Sequence, residues 1–243
     1  REMARALDIA SECYAEYRPC YLLSSLIQDC LERGREQQDG GARYNYYGFA
    51  PLGITSAADS LHAIKRAVYD QGLVSPEELL AAMRANYEGY AALQAQLNAI
   101  PRFGVEDSEA DALCNRVLQS VGRCAARQRT RFGGRLKPMI FNFVWTPAAS
   151  QELGARADGV RAGDLIGHGM TPRSCAMTRG ITAAMNSSTS LDYTCVSGGA
   201  TTMWDVDEQW ITFDLMKALL KTFLRQGGMI FQGNATSVRE MEE

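Results

Sequence analysis

Apolar residues recur at helical spacing through the first third of the chain. Residues from Glu2 to about Tyr17 favour helix, and Pro19 interrupts them. Leu22, Leu23, Leu26, Ile27, Cys30 and Leu31 then repeat with the same period, with Gly34 placed to end that helix. A polar run leads into Gly40-Gly41. From there to Gly53 the mixture of glycines and aromatics predicts irregular backbone or a short strand. Leu61, Ile64 and Val68 place the next helix from about Thr55 or Ser56. Ser75-Pro76-Glu77-Glu78 is a capping-box start, and the helix it opens is expected to run toward Asn98, weakened at Gly89. Pro101 and Gly104 mark a turn. Ser108 with Asp111 opens a helix carrying Leu113, Val117, Leu118 and Val121, which ends on the basic residues Arg123 to Arg131.

The pattern changes after Gly133-Gly134. Met139 to Trp145 is an apolar, β-prone run that predicts a strand buried in a core. Val160 to Pro172 reads as a glycine-rich loop, Ile181 to Met185 as a short helix and Ser197 to Trp204 as a strand. Ile211 to Arg225 is an amphipathic helix closed by Gly227-Gly228, and Met229 to Phe231 is a short strand. Helices alternating with strands indicate α/β packing. With no repeat, low-complexity tract or linker, residues 1–243 read as one domain or part of one.

Composition narrows the function classes. A chain of 243 residues with 46% hydrophobic and 22% charged positions can bury a core. No run of eighteen apolar residues is present, which argues against a membrane span. A net charge of −3 argues against bulk binding to nucleic acid. The Arg123 to Arg135 cluster is explained by helix-end electrostatics before nucleic acid. The seven cysteines are odd in number and none is paired as C-x-x-C, so reduced and mostly buried thiols in a cytoplasmic chain are expected. The terminal sequences suggest a piece of something longer.

Few residues carry obvious chemistry. His62 falls on a predicted helix, where a satisfied, partly buried histidine is the simple reading. His168 lies between Gly167 and Gly169, which either expose it to a ligand or merely shape the loop. Neither histidine has a second one nearby, and H-E-x-x-H, G-x-S-x-G, Walker A and G-x-G-x-x-G are all absent. No metal ligand set is identified. Gly40-Gly41-Ala42-Arg43-Tyr44-Asn45 combines bendable backbone with fixed polar groups. Phe141, Phe143 and Trp145 alternate, so on a strand they share one face, lining a pocket or packing on a helix.

The order of motifs resembles the pyruvate formate-lyase-like glycyl radical enzymes, in their dehydratase and lyase branch. The resemblance rests on Pro19-Cys20, Leu22-Leu23-Ser24-Ser25, Asp29-Cys30, Gly34, Gly40 to Asn45 and Gly53-Ile54. It continues through Asp59-Ser60-Leu61, Ala63-Ile64-Lys65 and Pro101-Arg102-Phe103-Gly104. Farther along, Gly133-Gly134, Gly154-Ala155, Asp158-Gly159, Ala162-Gly163 and Gly169-Met170-Thr171-Pro172 complete it. It covers nearly the whole chain.

The resemblance implies part of a ten-stranded α/β barrel, a half-barrel with surrounding helices. It implies a radical installed on a backbone glycine by an activase that uses S-adenosylmethionine and an iron–sulfur cluster, passed to a cysteine whose thiyl radical takes hydrogen from a small-molecule substrate. A sealed barrel would protect such a radical. The family's Gly-Cys pair and its Arg-Val-x-Gly-Tyr type motif are both absent here, and Asp158-Gly159-Val160 stands where the family commonly has Asp-Gly-Arg. The chain is therefore expected to supply barrel wall and pocket, with no catalytic residue of its own and no directly bound cofactor. Phe141, Phe143, Trp145 and Asn45 are the expected substrate-binding residues. Phe141 stands where glycerol-dehydratase-like relatives carry tyrosine, which favours a more apolar site. The implied partners are the remainder of the enzyme chain, the activase and a second copy in a homodimer, in an anaerobic cytoplasm. The competing reading is a non-catalytic α/β module that binds a small molecule or a partner.

Overall fold

The computed structural model describes residues 1–141 and 144–237. In chain order its helices and strands begin with α1 (Glu2–Tyr17), α2 (Tyr21–Ser25), α3 (Gln28–Arg33), β1 (Tyr47–Phe49), α4 (Ile54–Ile64), α5 (Pro76–Arg84) and α6 (Ala91–Asn98). They continue with α7 (Ser108–Ala126), β2 (Leu136–Pro138), α8 (Thr146–Gln151), α9 (Gly180–Thr189), β3 (Thr201–Asp207), α10 (Phe213–Arg225) and β4 (Ile230–Thr236). The chain divides into two compact units, Arg1–Phe49 with Ser120–Pro138 and Ala50–Gln119 with Met139–Glu243. Each is assembled from two stretches of sequence, so no linker composition marks their boundary.

In the first unit β1 and β2 pair in parallel, with Tyr47 opposite Leu136 and Phe49 opposite Pro138. Ala4, Ala125 and Leu136 form its core, with Leu7, Tyr47 and Phe49 packed against them. The helix expected across Leu22 to Leu31 is broken, because Ile27 takes extended backbone between α2 and α3. Glu36 draws the other face inward: its carboxylate accepts from Cys20 N and Ser24 Oγ, and also from the backbone of Gln38 and Asp39. Cys30 and Ser24 are consequently buried, while the periodic Leu22 and Leu26 are 81% and 77% exposed. Gly34 ends α3 at φ +56°, as its position predicts.

In the second unit α5 is capped as expected, Ser75 Oγ accepting from Glu78 N at 3.1 Å. The helix stops at Arg84 rather than reaching Asn98, because Asn86, Tyr87 and Gly89 all take positive φ. Burial of the Tyr87 ring and its hydroxyl bond to Arg156 O stabilise that turn. Helix α7 is capped one residue earlier than expected: Asp107 accepts from Glu109 N and Ala110 N, while Asp111 accepts from Ser187 Oγ instead.

Strands β3 and β4 are parallel in register from Thr201 opposite Ile230 to Asp207 opposite Thr236, and Ile140 joins their start through a parallel bridge to Ala200. Period-two alternation sends Ala200 and Ile140 into a core with Ile54, Phe103 and Leu118. It sends Trp204 and Phe231 against Phe223 of α10 and Ala184 of α9. The rings of Phe223 and Phe231 meet edge to face at 5.5 Å, a contact that adds about 0.5–1.5 kcal/mol to simple burial.

The strand expected from Met139 to Trp145 does not form over its length. Among the described residues of that run only Ile140 pairs, and Trp145 has helical φ and ψ at the head of α8. Pro147, in the first turn of that helix, suits a helix start. Among the described residues no helix is long and apolar enough to cross a membrane.

Candidate functional site

The side of β3 and β4 turned away from the helices carries Met203 and Asp205, with Gln232 and Asn234 opposite them in register. Asn234 Nδ2 donates to Asp205 Oδ1 at 2.9 Å. Met203 and Asp205 share a hollow with His168, Thr171 and Arg173. Thr171 Oγ1 accepts from Met203 N at 2.7 Å, and Met170 N donates to Thr201 O at 2.8 Å, so the 167–172 loop is sewn to the strand.

The glycines flanking His168 serve close approach. A Cβ on Gly169 would stand 2.5 Å from Thr201 O, and one on Gly167 would collide with Thr55 Oγ1. His168 itself is half-buried, and its Nδ1 has no hydrogen-bond partner among the described residues. His62 is buried, Nδ1 against Pro101 O at 2.9 Å, with Glu109 Oε2 3.8 Å from Nε2.

Phe141 follows the core-facing Ile140 and so lies on the opposite side of the chain. Its ring sits beside Gly199, where an added Cβ would be 4.0 Å from Phe141 and 3.1 Å from Ile230. It is 37% exposed. Trp145 is 69% exposed, and the turn before it ends the alternation that would have aligned it with Phe141. Phe143 lies outside the described residues.

Asn45 belongs to the first unit, where its Nδ2 donates to Ala42 O and closes a local turn. Gly40 takes φ +80° with its Cα against the Phe132 ring, and Gly41 lies directly against Arg35 O. Arg43 pairs with Asp29 at 3.0 Å but is largely exposed.

A buried charged cluster backs the second unit. Asp158 receives Ser60 Oγ at 3.1 Å, with Arg102 Nε and Arg156 Nε at 3.5 and 3.8 Å. Arg102 also donates to Asn98 Oδ1 and to Asp158 O. Nearby Asp59 accepts from Phe103 N at 2.9 Å, and burial, with Asp158 adding to it, pushes its carboxyl up to about 7. Burial likewise raises Asp111 to about 6 and drives the Cys114 thiol well up. Sequence reasoning missed these residues as a group, because the partners lie far apart in the chain. The alternation within Thr201–Asp207 could have flagged Met203 and Asp205.

Parallel strands with helices packed on one side define an α/β architecture. The pyruvate formate lyase-like family model matches residues 1–146, and the chain belongs to that family. It is 31% identical to trans-4-hydroxy-L-proline dehydratase of Clostridioides difficile over 76% of this chain and 23% of that protein. It is 29% identical to (2S)-3-sulfopropanediol dehydratase of Klebsiella oxytoca over 82% of this chain and 25% of that protein. A solved glycyl radical enzyme from Archaeoglobus fulgidus superposes with a TM-score of 0.94 at 28% identity, covering 99% of this chain and 31% of that one. The fold is thus part of a glycyl radical enzyme α/β barrel. The chain spans about a quarter of the length of the curated relatives it matches.

Proposed function

We propose that this chain is a wall and pocket segment of a glycyl radical dehydratase or lyase, acting on a small organic substrate by thiyl-radical hydrogen abstraction. The observation that carries the reading is the likeness to a glycyl radical enzyme over 99% of the chain. Two relatives are dehydratases, which favours loss of water as the reaction.

In this reading none of the seven cysteines carries the radical, since none follows a glycine. The radical cysteine and the glycyl residue come from other parts of the enzyme. Phe141, Phe143 and Trp145 are assigned to substrate contact, as is Asn45 in its own unit. The exposure of Phe141 and Trp145 leaves both available for covering by a ligand or by further polypeptide. The enzyme works as a homodimer in an anaerobic cytoplasm, after an activase with S-adenosylmethionine and an iron–sulfur cluster has installed the glycyl radical.

The test starts from the flanking coding sequence, which should contain Gly-Cys upstream and an Arg-Val-x-Gly-Tyr type motif downstream. The complete polypeptide, treated anaerobically with the activase, should give a glycyl doublet in electron paramagnetic resonance, and the 243-residue chain alone should give none. Start and stop codons bounding these residues, with both motifs missing, would overturn the proposal in favour of a non-catalytic binding module.

A further inference from the structure

The parallel pair in the first unit has two unlike faces. Tyr47, Phe49 and Leu136 point into the core. Alternation therefore turns Tyr46, Arg135 and Lys137 the other way, since Gly48 is opposite Lys137 in register. Above that second face lies a hollow walled by Tyr44, Tyr46 and Phe132, with Arg43 beside them. Lys137 Nζ stands 3.8 Å from the centre of the Tyr46 ring, which holds the ammonium over the hollow.

The charges here do not balance. Arg43 is matched by Asp29. Among the described residues no carboxylate pairs with Arg135 or Lys137, and no Asp or Glu lines the hollow. Other cations of the unit differ: Arg131 reaches Glu12 and Asp39 at 3.1 Å each and Arg35 reaches Asp39 at 2.9 Å, whereas Arg5, Arg18, Arg123, Arg127 and Arg129, like the two here, pair with no carboxylate among the described residues. Two uncompensated cations on one concave surface concentrate anions there.

We infer that this hollow binds the oxyanion group of a small organic ligand. Lys137 supplies a point charge and Arg135 a planar fork of donors, while the tyrosine and phenylalanine rings cover the ligand's carbon skeleton. Carboxylate, sulfonate and phosphate monoester share the required chemistry. Asn45, assigned above to substrate contact, lines the same hollow, so a failure here would also remove the case for Asn45 while leaving the family assignment and the proposed reaction untouched.

The test is calorimetric titration of the 243-residue chain with ethanesulfonate at fixed ionic strength. Saturable one-site binding is expected, weakening as sodium chloride replaces a neutral osmolyte. Lys137→Gln and Arg135→Gln should each weaken it about tenfold, the factor equivalent to 1.4 kcal/mol. Lys137→Arg should bind within about threefold of the parent, because the charge is kept. Arg84→Gln, an exposed charge change in the other unit, should bind like the parent. Inorganic sulfate should bind more weakly than ethanesulfonate, since it offers the rings nothing; equal or tighter sulfate binding would overturn the organic ligand. Absence of saturable heat, or unchanged affinity in a folded Lys137→Gln variant, overturns the site. Thermal melts establish folding, and should Lys137→Gln fail to fold, Arg135→Gln decides the same question.

Discussion

Arg102 and Asp158 form an ion pair at 3.5 Å in which the two side chains are only 10% and 2% exposed. Through Ser60 and Asn98 the pair also ties α4 to α6. Asp158→Asn would leave two guanidiniums, those of Arg102 and Arg156, without their nearest counter-charge. A loss of about 3–5 kcal/mol is expected in urea unfolding, the usual cost of breaking a buried pair on one side. Replacing both partners by apolar residues, Arg102→Met with Asp158→Leu, should cost less than the sum of the single changes. A loss below about 1 kcal/mol for Asp158→Asn would mean the pair is solvated like a surface bridge.

Asp59 gives the fold a pH dependence of unusual sign for a carboxyl. Its folded value of about 7 lies above the ordinary one, so the folded state binds more protons than the unfolded state between the two. Its contribution is therefore fully present below the unfolded value near 4 and is lost as pH rises toward 7. Asp111, raised to about 6 by burial, acts in the same direction. Urea midpoints measured from pH 4.5 to 7.5 should fall less steeply in Asp59→Asn than in the parent, because the amide keeps the Phe103 N–H bond without the buried charge. Parallel curves for the two proteins would show that Asp59 does not titrate in this window.

The glycines of the first unit separate two kinds of constraint. Gly133 takes φ +82° with open space where a Cβ would go, so Gly133→Ala should cost only the left-handed penalty, about 1 kcal/mol. At Gly41 the added Cβ would strike Arg35 O and come within 2.8 Å of Cys30 Sγ, both held by the surrounding turn. Gly41→Ala should therefore be the more destabilising, by about a further 1–3 kcal/mol from overpacking. Equal thermal shifts for the two variants would contradict the close approach at Gly41.

Local signals are legible in the sequence where a single stretch of chain decides the outcome. Pro19 after the first helix, Ser75 as a cap and Gly34 as a stop all act through their own backbone. Sequence and structure part where a distant residue decides. Glu36 reaches back to Cys20 and Ser24, breaking the expected helix and exposing its leucines. Tyr87 is pulled into a left-handed turn by burial and by Arg156 O, and it ends α5 early. In the candidate site, Trp145 takes helical backbone at the head of α8, a start that the β-prone run from Met139 does not signal. The Arg102–Asp158 pair is visible in sequence only as two family-like motifs, because the contact joins residues 56 apart.

Thiol reactivity tests burial directly, and here the structure corrects the expectation of mostly buried cysteines. Cys13, Cys20, Cys124 and Cys175 are exposed, Cys195 is half-buried, and only Cys30 and Cys114 are buried. Cys13 and Cys124 take exposed positions on α1 and α7, and Cys20 sits exposed just ahead of α2. Burial raises the thiols of Cys30 and Cys114, so both access and thiolate fraction disfavour their reaction. With an aromatic disulfide reagent at pH 8 the native chain should release four equivalents quickly and a fifth more slowly. The last two should appear only on adding denaturant, in the same transition that circular dichroism records. Rapid release of all seven equivalents under native conditions would show that the cores around Cys30 and Cys114 open freely.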